Sequence, residues 1–146
     1  MTETFVVRVE DIPDLAERVI QIMKETSTGK AKVLFLEGDL GAGKTTFTKE
    51  LASLLGIQKE EVHSPTFILK KEYPAAHVSF RKLIHVDAYR FTTKEEGKIL
   101  QLDKDMGNKD TVIAIEWPSR LNQVDPDVTL SFSVVDDDTR EITISY

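Results

Sequence analysis

The fold of this chain is decided by the stretch VLFLEGDLGAGKTT, which occupies residues 33–46. An apolar run typical of a buried strand leads here into a glycine-rich turn. Gly38, Gly43, Lys44 and Thr45 complete the pattern G-x-x-x-x-G-K-[ST] of a phosphate loop. In such a loop, backbone N–H groups surround the phosphates of a nucleotide, the lysine contacts their outer oxygens, and the threonine hydroxyl binds Mg²⁺. The stretch therefore predicts a nucleotide-binding site with Mg²⁺.

The residues that follow the loop predict a helix. Residues 44–56 read KTTFTKELASLLG, in which apolar side chains recur on one face and Gly56 supplies a typical end signal. The N-terminus of such a helix carries partial positive charge, which favours phosphate binding. We expect the loop and the helix start to contact the nucleotide through Asp39, Leu40, Gly41, Ala42, Gly43, Lys44, Thr45 and Thr46.

Two further apolar runs, residues 83–87 and 111–116, each end in an acid, Asp87 and Glu116. In open α/β sheets the ligand lies beyond the carboxyl ends of the strands, so both acids are expected near the phosphate loop. Proteins with this loop use such acids to hold Mg²⁺ or to orient the attacking water. We interpret both acids as metal-site and catalytic candidates beside Lys44, and either of them could orient the water. His85 is interpreted as a strand residue near the site rather than a metal ligand.

The remainder of the chain predicts a mixed sheet flanked by helices. A strand at residues 5–9 precedes a helix for which Asp11 is the expected N-cap. Antiparallel hairpins are expected from residues 67–73 with 80–86, and from residues 128–135 with 141–144. Residues 94–106 predict a helix that Gly97 weakens from its interior. The fold class is therefore α/β, a single P-loop NTPase-like domain with a mixed β-sheet.

Length and composition limit the kind of protein. A chain of 146 residues is long enough to bury its own core, so we expect one domain over residues 1–146. The absence of cysteine excludes disulfides and cysteine nucleophiles. The first residues lack a secretion signal and no apolar run approaches the length of a membrane span, which predicts a cytoplasmic protein with no membrane association. The net charge of −6 disfavours a general nucleic-acid binder.

Basic residues cluster locally despite the acidic composition. Lys70 and Lys71 are expected to face Arg81 and Lys82 across the first hairpin, with Arg90 nearby. Two interpretations stand side by side. The cluster is either a docking patch for tRNA or a protein, or a charged edge strand that resists aggregation.

Four blocks of sequence together resemble one known family. The phosphate loop is followed by Ser64-Pro65-Thr66-Phe67, then by HVDAYR at residues 85–90, and then by IEWP at residues 115–118. In this order and spacing the blocks look like the bacterial TsaE ATPases. The resemblance covers most of the chain, and it is far more specific than the phosphate loop alone.

The resemblance implies a small ATPase that acts with a TsaB-TsaD complex to form threonylcarbamoyladenosine next to the anticodon of tRNA. The chain would then meet tRNA only indirectly, through that complex. Thr45 and Glu116 match the Mg²⁺ positions of the family, and Asp87 matches its Walker-B-like acid. Residue by residue, the resemblance further implies a switch-like loop at Ser64, Pro65 and Thr66, an aromatic residue beside the nucleotide at Trp117, and approaches to the base by Asp11 and Arg140.

Two other functions would use the same loop. A small-molecule kinase would transfer the phosphoryl group to an alcohol or nucleoside, but kinases of this kind usually carry a lid rich in arginine. A nucleotide-gated binding module would only order residues 64–67 around the γ-phosphate. Such a module needs no acid to position water, so the two acids favour an ATPase.

Overall fold

The computed structural model describes residues 1–26, 29–63, 69–122 and 124–146. Within these ranges the chain forms strands and helices in alternation. The strands are β1 Thr2–Val7, β2 Lys32–Glu37, β3 Lys70–Pro74, β4 Lys82–Asp87, β5 Thr111–Glu116, β6 Val128–Val134 and β7 Arg140–Ser145. The helices are α1 Ile12–Glu25, α2 Lys44–Leu54 and α3 Leu102–Met106, with 3₁₀ turns at Val9–Asp11, Lys59–Glu61, Lys94–Leu100 and Pro118–Arg120.

The described strands build one mixed sheet in the order β1-β7-β6-β2-β5-β4-β3. The central strands β6, β2, β5 and β4 run parallel to their neighbours in this group. The hairpin partners β3 and β7 are antiparallel to β4 and β6, and β1 pairs antiparallel with β7. This architecture confirms the predicted α/β class with a mixed sheet.

Both faces of the central sheet are covered, which explains the apolar run of β5. Every residue of this strand is buried. Val112 and Ala114 join the core beneath α1 and α2, whereas Ile113 and Ile115 join a second core on the opposite face. Successive side chains of a strand point to opposite faces, so a strand buried on both sides reads as continuously apolar.

Helix α2 packs under the site through the stripe that the sequence predicts. Phe47 and Leu51 are fully buried, and the Phe47 ring meets the edge of Phe132 on β6 with 6.0 Å between centroids. The helix stops before Gly56, whose φ of +81° is a left-handed conformation that favours glycine. These contacts fix the helix start, and with it Lys44, against the central sheet.

Three predicted elements differ from the structure. The first strand ends at Val7 rather than at residue 9, because its partner β7 begins at Arg140 opposite Val7. The strand predicted at residues 67–73 is β3, Lys70–Pro74, and residues 67 and 68 lie outside the described ranges. The helix predicted at residues 94–106 is a 3₁₀ turn followed by α3, since Gln101 has a φ of +52° that breaks the helix.

The predicted facing of the basic residues is wrong. Lys70 lies opposite Val86 and Lys71 opposite His85, whereas Lys82 lies opposite Pro74. Lys70 and Lys82 are linked through Glu72, whose carboxylate lies 3.9 and 3.8 Å from their ammonium groups. Lys70 Nζ instead donates to Asp105 Oδ2 at 2.6 Å and to the carbonyl of Leu100 at 2.9 Å. Lys70 therefore ties β3 to Leu100 and to Asp105 of α3.

Each helix in the described part of the chain is too short or too polar to cross a membrane.

Candidate functional site

The two predicted acids meet at one edge of the sheet. In the parallel register of β4 and β5, Asp87 lies opposite Glu116, and Glu116 also lies opposite Leu36 at the end of β2. The phosphate loop begins directly after β2. The sheet topology therefore brings both acids to the same level as the loop, as expected from the position of ligands in α/β folds.

Glycines give the loop its shape. Gly38, Gly41 and Gly43 have φ values of +151°, +78° and +109°, a range that side chains disfavour. The N–H of Ala42 closes a turn onto the carbonyl of Asp39 at 3.1 Å. Gly43 occupies the N-cap position of α2 and offers no side-chain cap, so the first N–H groups of the helix remain available to an anion.

The loop and the acids enclose a pocket of about 350 Å³. It opens at the start of α2 and brings together most of the predicted site. Its lining is Leu40, Gly41, Gly43, Lys44, Thr45, Thr46, Asp87, Tyr89, Arg90, Glu116 and Trp117. Asp39 is not part of this lining, but its carboxylate acts on the charge of Lys44 from nearby.

Lys44 is held inside the pocket by contacts within the protein. Its side chain is 5% exposed, and Nζ donates to the carbonyl of Gly38 at 2.5 Å. Burial lowers the pKa of Lys44, and the carboxylates of Glu116, Asp87 and Asp39 oppose that shift. Lys44 therefore places a cation among three carboxylates at the start of α2, where the phosphates of a nucleotide would bind.

The acids themselves are nearly buried and hydrogen-bonded. Asp87 is 8% exposed and its Oδ1 accepts the N–H of Tyr89 at 2.9 Å. Glu116 is 3% exposed, and its Oε2 lies 2.8 Å from Nε2 of His85. Both acids therefore have fixed carboxylates beside Lys44 and Thr45.

A magnesium ion fits this donor set. The hydroxyl of Thr45 and the carboxylates of Asp87 and Glu116 line one pocket, and Mg²⁺ prefers oxygen ligands that include few carboxylates, water and substrate phosphates. Across the described ranges, no group of three or more His, Cys, Asp or Glu side chains could hold a metal by itself. An ion here would therefore need the phosphates as well as the protein.

Comparison with known proteins adds independent information. A family model described as "Threonylcarbamoyl adenosine biosynthesis protein TsaE" matches residues 6–142. The chain belongs to the TsaE family. This finding confirms the resemblance drawn from the four sequence blocks.

Individual relatives cover the chain broadly. A protein named tRNA threonylcarbamoyladenosine biosynthesis protein TsaE from Aquifex aeolicus is 34% identical over 136 residues, 92% of this chain and 89% of the relative. The protein of the same name from Bacillus subtilis is 42% identical over 115 residues, 77% of this chain and 68% of the relative. The crystal structure of Bacillus subtilis YdiB superposes with a TM-score of 0.66 at 32% identity, covering 99% of this chain and 84% of that one.

Trp117, in the fourth block of the TsaE resemblance, lies directly over the lysine. Nζ of Lys44 is 4.0 Å from the centre of its ring, and the ring of Tyr89 lies 5.0 Å away on another side. Trp117 has a φ of +58°, which is uncommon for a bulky residue and occurs mainly where other contacts fix the backbone. Arg120 supplies such contacts, because its backbone N–H donates to the carbonyl of Trp117 at 3.1 Å and its guanidinium lies 5.9 Å from the centre of the Trp117 ring.

We expect the fluorescence of Trp117 to change when ATP or ADP binds, because the phosphates draw the Lys44 ammonium away from the indole ring. The chain contains one tryptophan, so the signal has a single source. Titration of the nucleotide against emission measures the effect, and Lys44→Ala should abolish it. Unchanged emission while calorimetry records binding would place the ring away from the nucleotide.

Arg140 lies on the other side of the phosphate loop. Its Nη2 is 3.4 Å from the carbonyl of Gly41, and Nη1 donates to the carbonyl of Asp136 at 2.8 Å. Together with Val9, Ala42 and neighbouring residues it lines a smaller pocket of about 120 Å³ that shares Gly41, Gly43 and Thr46 with the first. The structure thus brings Arg140 to the phosphate loop, and its approach to the base of the nucleotide stays a prediction from the family resemblance.

Asp11 is placed differently from Arg140. Asp11 occupies the N-cap position of α1, as the sequence predicts, but its side chain makes no cap hydrogen bond to that helix. The side chain is exposed, lines neither pocket and accepts the N–H of Arg8 at 2.9 Å. The switch-like residues Ser64, Pro65 and Thr66 lie outside the described ranges. The described chain resumes at Leu69, whose carbonyl accepts the N–H of Asp87 at 3.0 Å.

Two contacts escape sequence reasoning. Tyr89 joins the pocket lining, and the signals for it are its position two residues after Asp87 and its place in the HVDAYR block. The hydrogen bond between His85 and Glu116 depends on the register of β4 and β5. Side chains alternate along β4, so His85 lies on the same face of the sheet as Asp87. This periodicity is the sequence signal that places His85 near the site.

Proposed function

We propose that this chain binds ATP with Mg²⁺ in the larger pocket and hydrolyses it to support formation of threonylcarbamoyladenosine in tRNA. One observation carries the proposal. Lys44, Asp87 and Glu116 converge in the same pocket at the uncapped N-terminus of α2. A cation, an anion-binding helix start and two carboxylates are the parts that phosphoryl transfer from ATP needs.

Each residue has a distinct part in this proposal. The loop N–H groups and Lys44 bind the phosphates, since the lysine donates charge-assisted hydrogen bonds to their oxygens. Thr45, Asp87 and Glu116 would hold Mg²⁺, which neutralises charge on the phosphate oxygens when it is bound. The carboxylate of Asp87 or Glu116 orients the attacking water and accepts its proton.

Hydrolysis by the chain alone is expected to be slow. Fast hydrolysis in P-loop proteins often needs an arginine that reaches the γ-phosphate, and supplying one from a partner raises the rate about 10³–10⁵-fold. The pocket lining includes Arg90, but this side chain already interacts within the protein. The partner in this proposal is the TsaB-TsaD complex, named from the family resemblance, and tRNA is met through that complex.

The deciding experiment measures phosphate release by the chain alone and with TsaB and TsaD. We expect weak release alone and a clear rise with the partners. Glu116→Gln and Asp87→Asn should lower the partner-stimulated rate of phosphate release by roughly 10²-fold or more. ATP should still bind to both variants. Glu116→Gln keeps an oxygen for His85, so a loss reflects charge rather than a broken hydrogen bond.

Glu141→Gln is the matched control, because this acid is exposed on β7 and lines no part of the larger pocket. It should behave as the wild type does. Rapid turnover by the isolated chain, unaffected by TsaB and TsaD, would contradict the proposal. Transfer of the γ-phosphate to an added alcohol or nucleoside would favour the kinase alternative, and ATP binding with no phosphate release under any condition would favour the nucleotide-gated module.

A further inference from the structure

His85 is a buried polar side chain that the proposed mechanism does not yet use. It lies in the middle of β4 with no exposed surface, and its Nε2 is 2.8 Å from Oε2 of Glu116. His85 pairs with Ala114 in the register, so it reaches Glu116 diagonally across β5. The two side chains therefore contact each other on one face of the sheet, next to the pocket that Glu116 lines.

The surroundings decide which ring nitrogen carries the proton. Nδ1 of His85 is buried and has no hydrogen-bond partner among the residues that the structure describes. A carboxylate can only accept hydrogen bonds, so Nε2–H must be the donor to Glu116. The arrangement therefore makes Nε2 the nitrogen through which the ring donates to Glu116.

This hydrogen bond occupies one oxygen of Glu116 and leaves the other to the pocket. The ammonium of Lys44 competes with His85 for the Glu116 carboxylate. Among the carboxylates that act on the buried Lys44, Glu116 has the largest effect. A carboxylate without the His85 contact could rotate toward that ammonium. Side chains that orient metal ligands from behind commonly fix ring or carboxylate geometry in this way.

We propose that His85 is a positioning residue, whose Nε2–H holds the Glu116 carboxylate in the orientation that serves Mg²⁺ and the attacking water. The inference rests on the proposed ATPase function and deepens it. The competing explanation is simple packing of a ring between β4 and β5. The two explanations differ in what a side chain of equal size without an N–H group should do.

Gln and Met provide a matched pair at this position. Both have an unbranched side chain of similar length, but the terminal amide of glutamine can donate to Glu116 and the methyl group of methionine cannot. We expect His85→Met to lower partner-stimulated turnover and to raise the Mg²⁺ concentration needed for half-maximal nucleotide binding, each by about 10–100-fold, whereas His85→Gln stays within about threefold of wild type. Binding of ATP without Mg²⁺, followed by Trp117 emission and calorimetry, should be unchanged in both.

A readout on the free protein needs neither nucleotide nor turnover. The imidazole ¹⁵N spectrum of the wild type should contain a ring that carries a proton on Nε2, and its signals should disappear in both variants. A ring protonated at Nδ1 alone, with no proton on Nε2, would overturn the inference. So would equal losses in His85→Met and His85→Gln, which indicate packing, or an unchanged Mg²⁺ requirement in His85→Met. Absence of Mg²⁺-dependent nucleotide binding in the wild type would instead overturn the proposed function, and this inference with it.

Discussion

Lys44→Ala is expected to lower the affinity for ATP by about 100-fold or more while the fold is retained. Hydrogen bonds to charged groups contribute about 1.5–3 kcal/mol each, and loss of about 3 kcal/mol corresponds to roughly 100-fold in affinity. The variant also leaves Glu116 and Asp87 without the cation that now lies among them, so the pocket becomes more repulsive to phosphate. The core beneath α2 is built from Phe47 and Leu51, which the change does not touch.

Calorimetric titration with ATP, with and without Mg²⁺, measures this loss. Lys49→Ala is the matched control, since Lys49 lies on the same helix but outside the pocket lining, and it should bind ATP as the wild type does. Thermal unfolding of both variants separates a binding effect from a folding effect. Wild-type affinity in Lys44→Ala would contradict the assignment of residues 38–45 as a phosphate loop.

Local patterns were sufficient for the central elements of the fold. The apolar runs of β2, β4 and β5 are bounded by turn residues, and α2 follows a glycine-rich loop, so each element is encoded within its own residues. The strand order is a different matter. β1 pairs with β7, with Thr2 opposite Ser145 at the other end of the chain, and no local periodicity contains that pairing. The end of β1 depends on this remote partner, which explains the error of two residues.

The segment before β5 failed for another reason. Residues 94–106 contain enough helix-forming residues to predict one helix. In the structure, Gly97 packs so closely against Leu121 that an added Cβ would lie 2.8 Å from its Cδ2, and Gln101 turns left-handed. Tertiary packing on the second core therefore overrides helix propensity there.

The candidate site divides in the same way. The phosphate loop and the two acids carry their meaning in residue type and spacing, so their common location followed from strand ends alone. The contacts of Lys44 with Trp117 and of His85 with Glu116 could not be predicted from residue type and spacing, because each joins separate strands or loops. Residue type was misleading at Lys70. Its charge suggested a role in docking at the surface, but its ammonium donates to Asp105 within the protein.

Gly38→Ala is expected to destabilise the protein by about 3 kcal/mol and to impair ATP binding as well. Gly38 has a φ of +151°, and a Cβ there would lie 2.8 Å from the carbonyl oxygen of Phe132 and 3.0 Å from its Cβ. Phe132 cannot yield easily, because its backbone is held in the β6–β7 ladder opposite Ile142. The loop must move instead.

Movement of the loop would shift the carbonyl of Gly38, to which Lys44 now donates, so stability and nucleotide affinity should fall together. Gly107→Ala is the matched control: its φ is −75° and an added Cβ would meet its nearest neighbour at 3.6 Å, an ordinary contact. Urea unfolding should place that control within about 0.5 kcal/mol of wild type. If Gly38→Ala unfolds at the same urea concentration as wild type and binds ATP equally well, the close approach of the phosphate loop to β6 is not needed for either property.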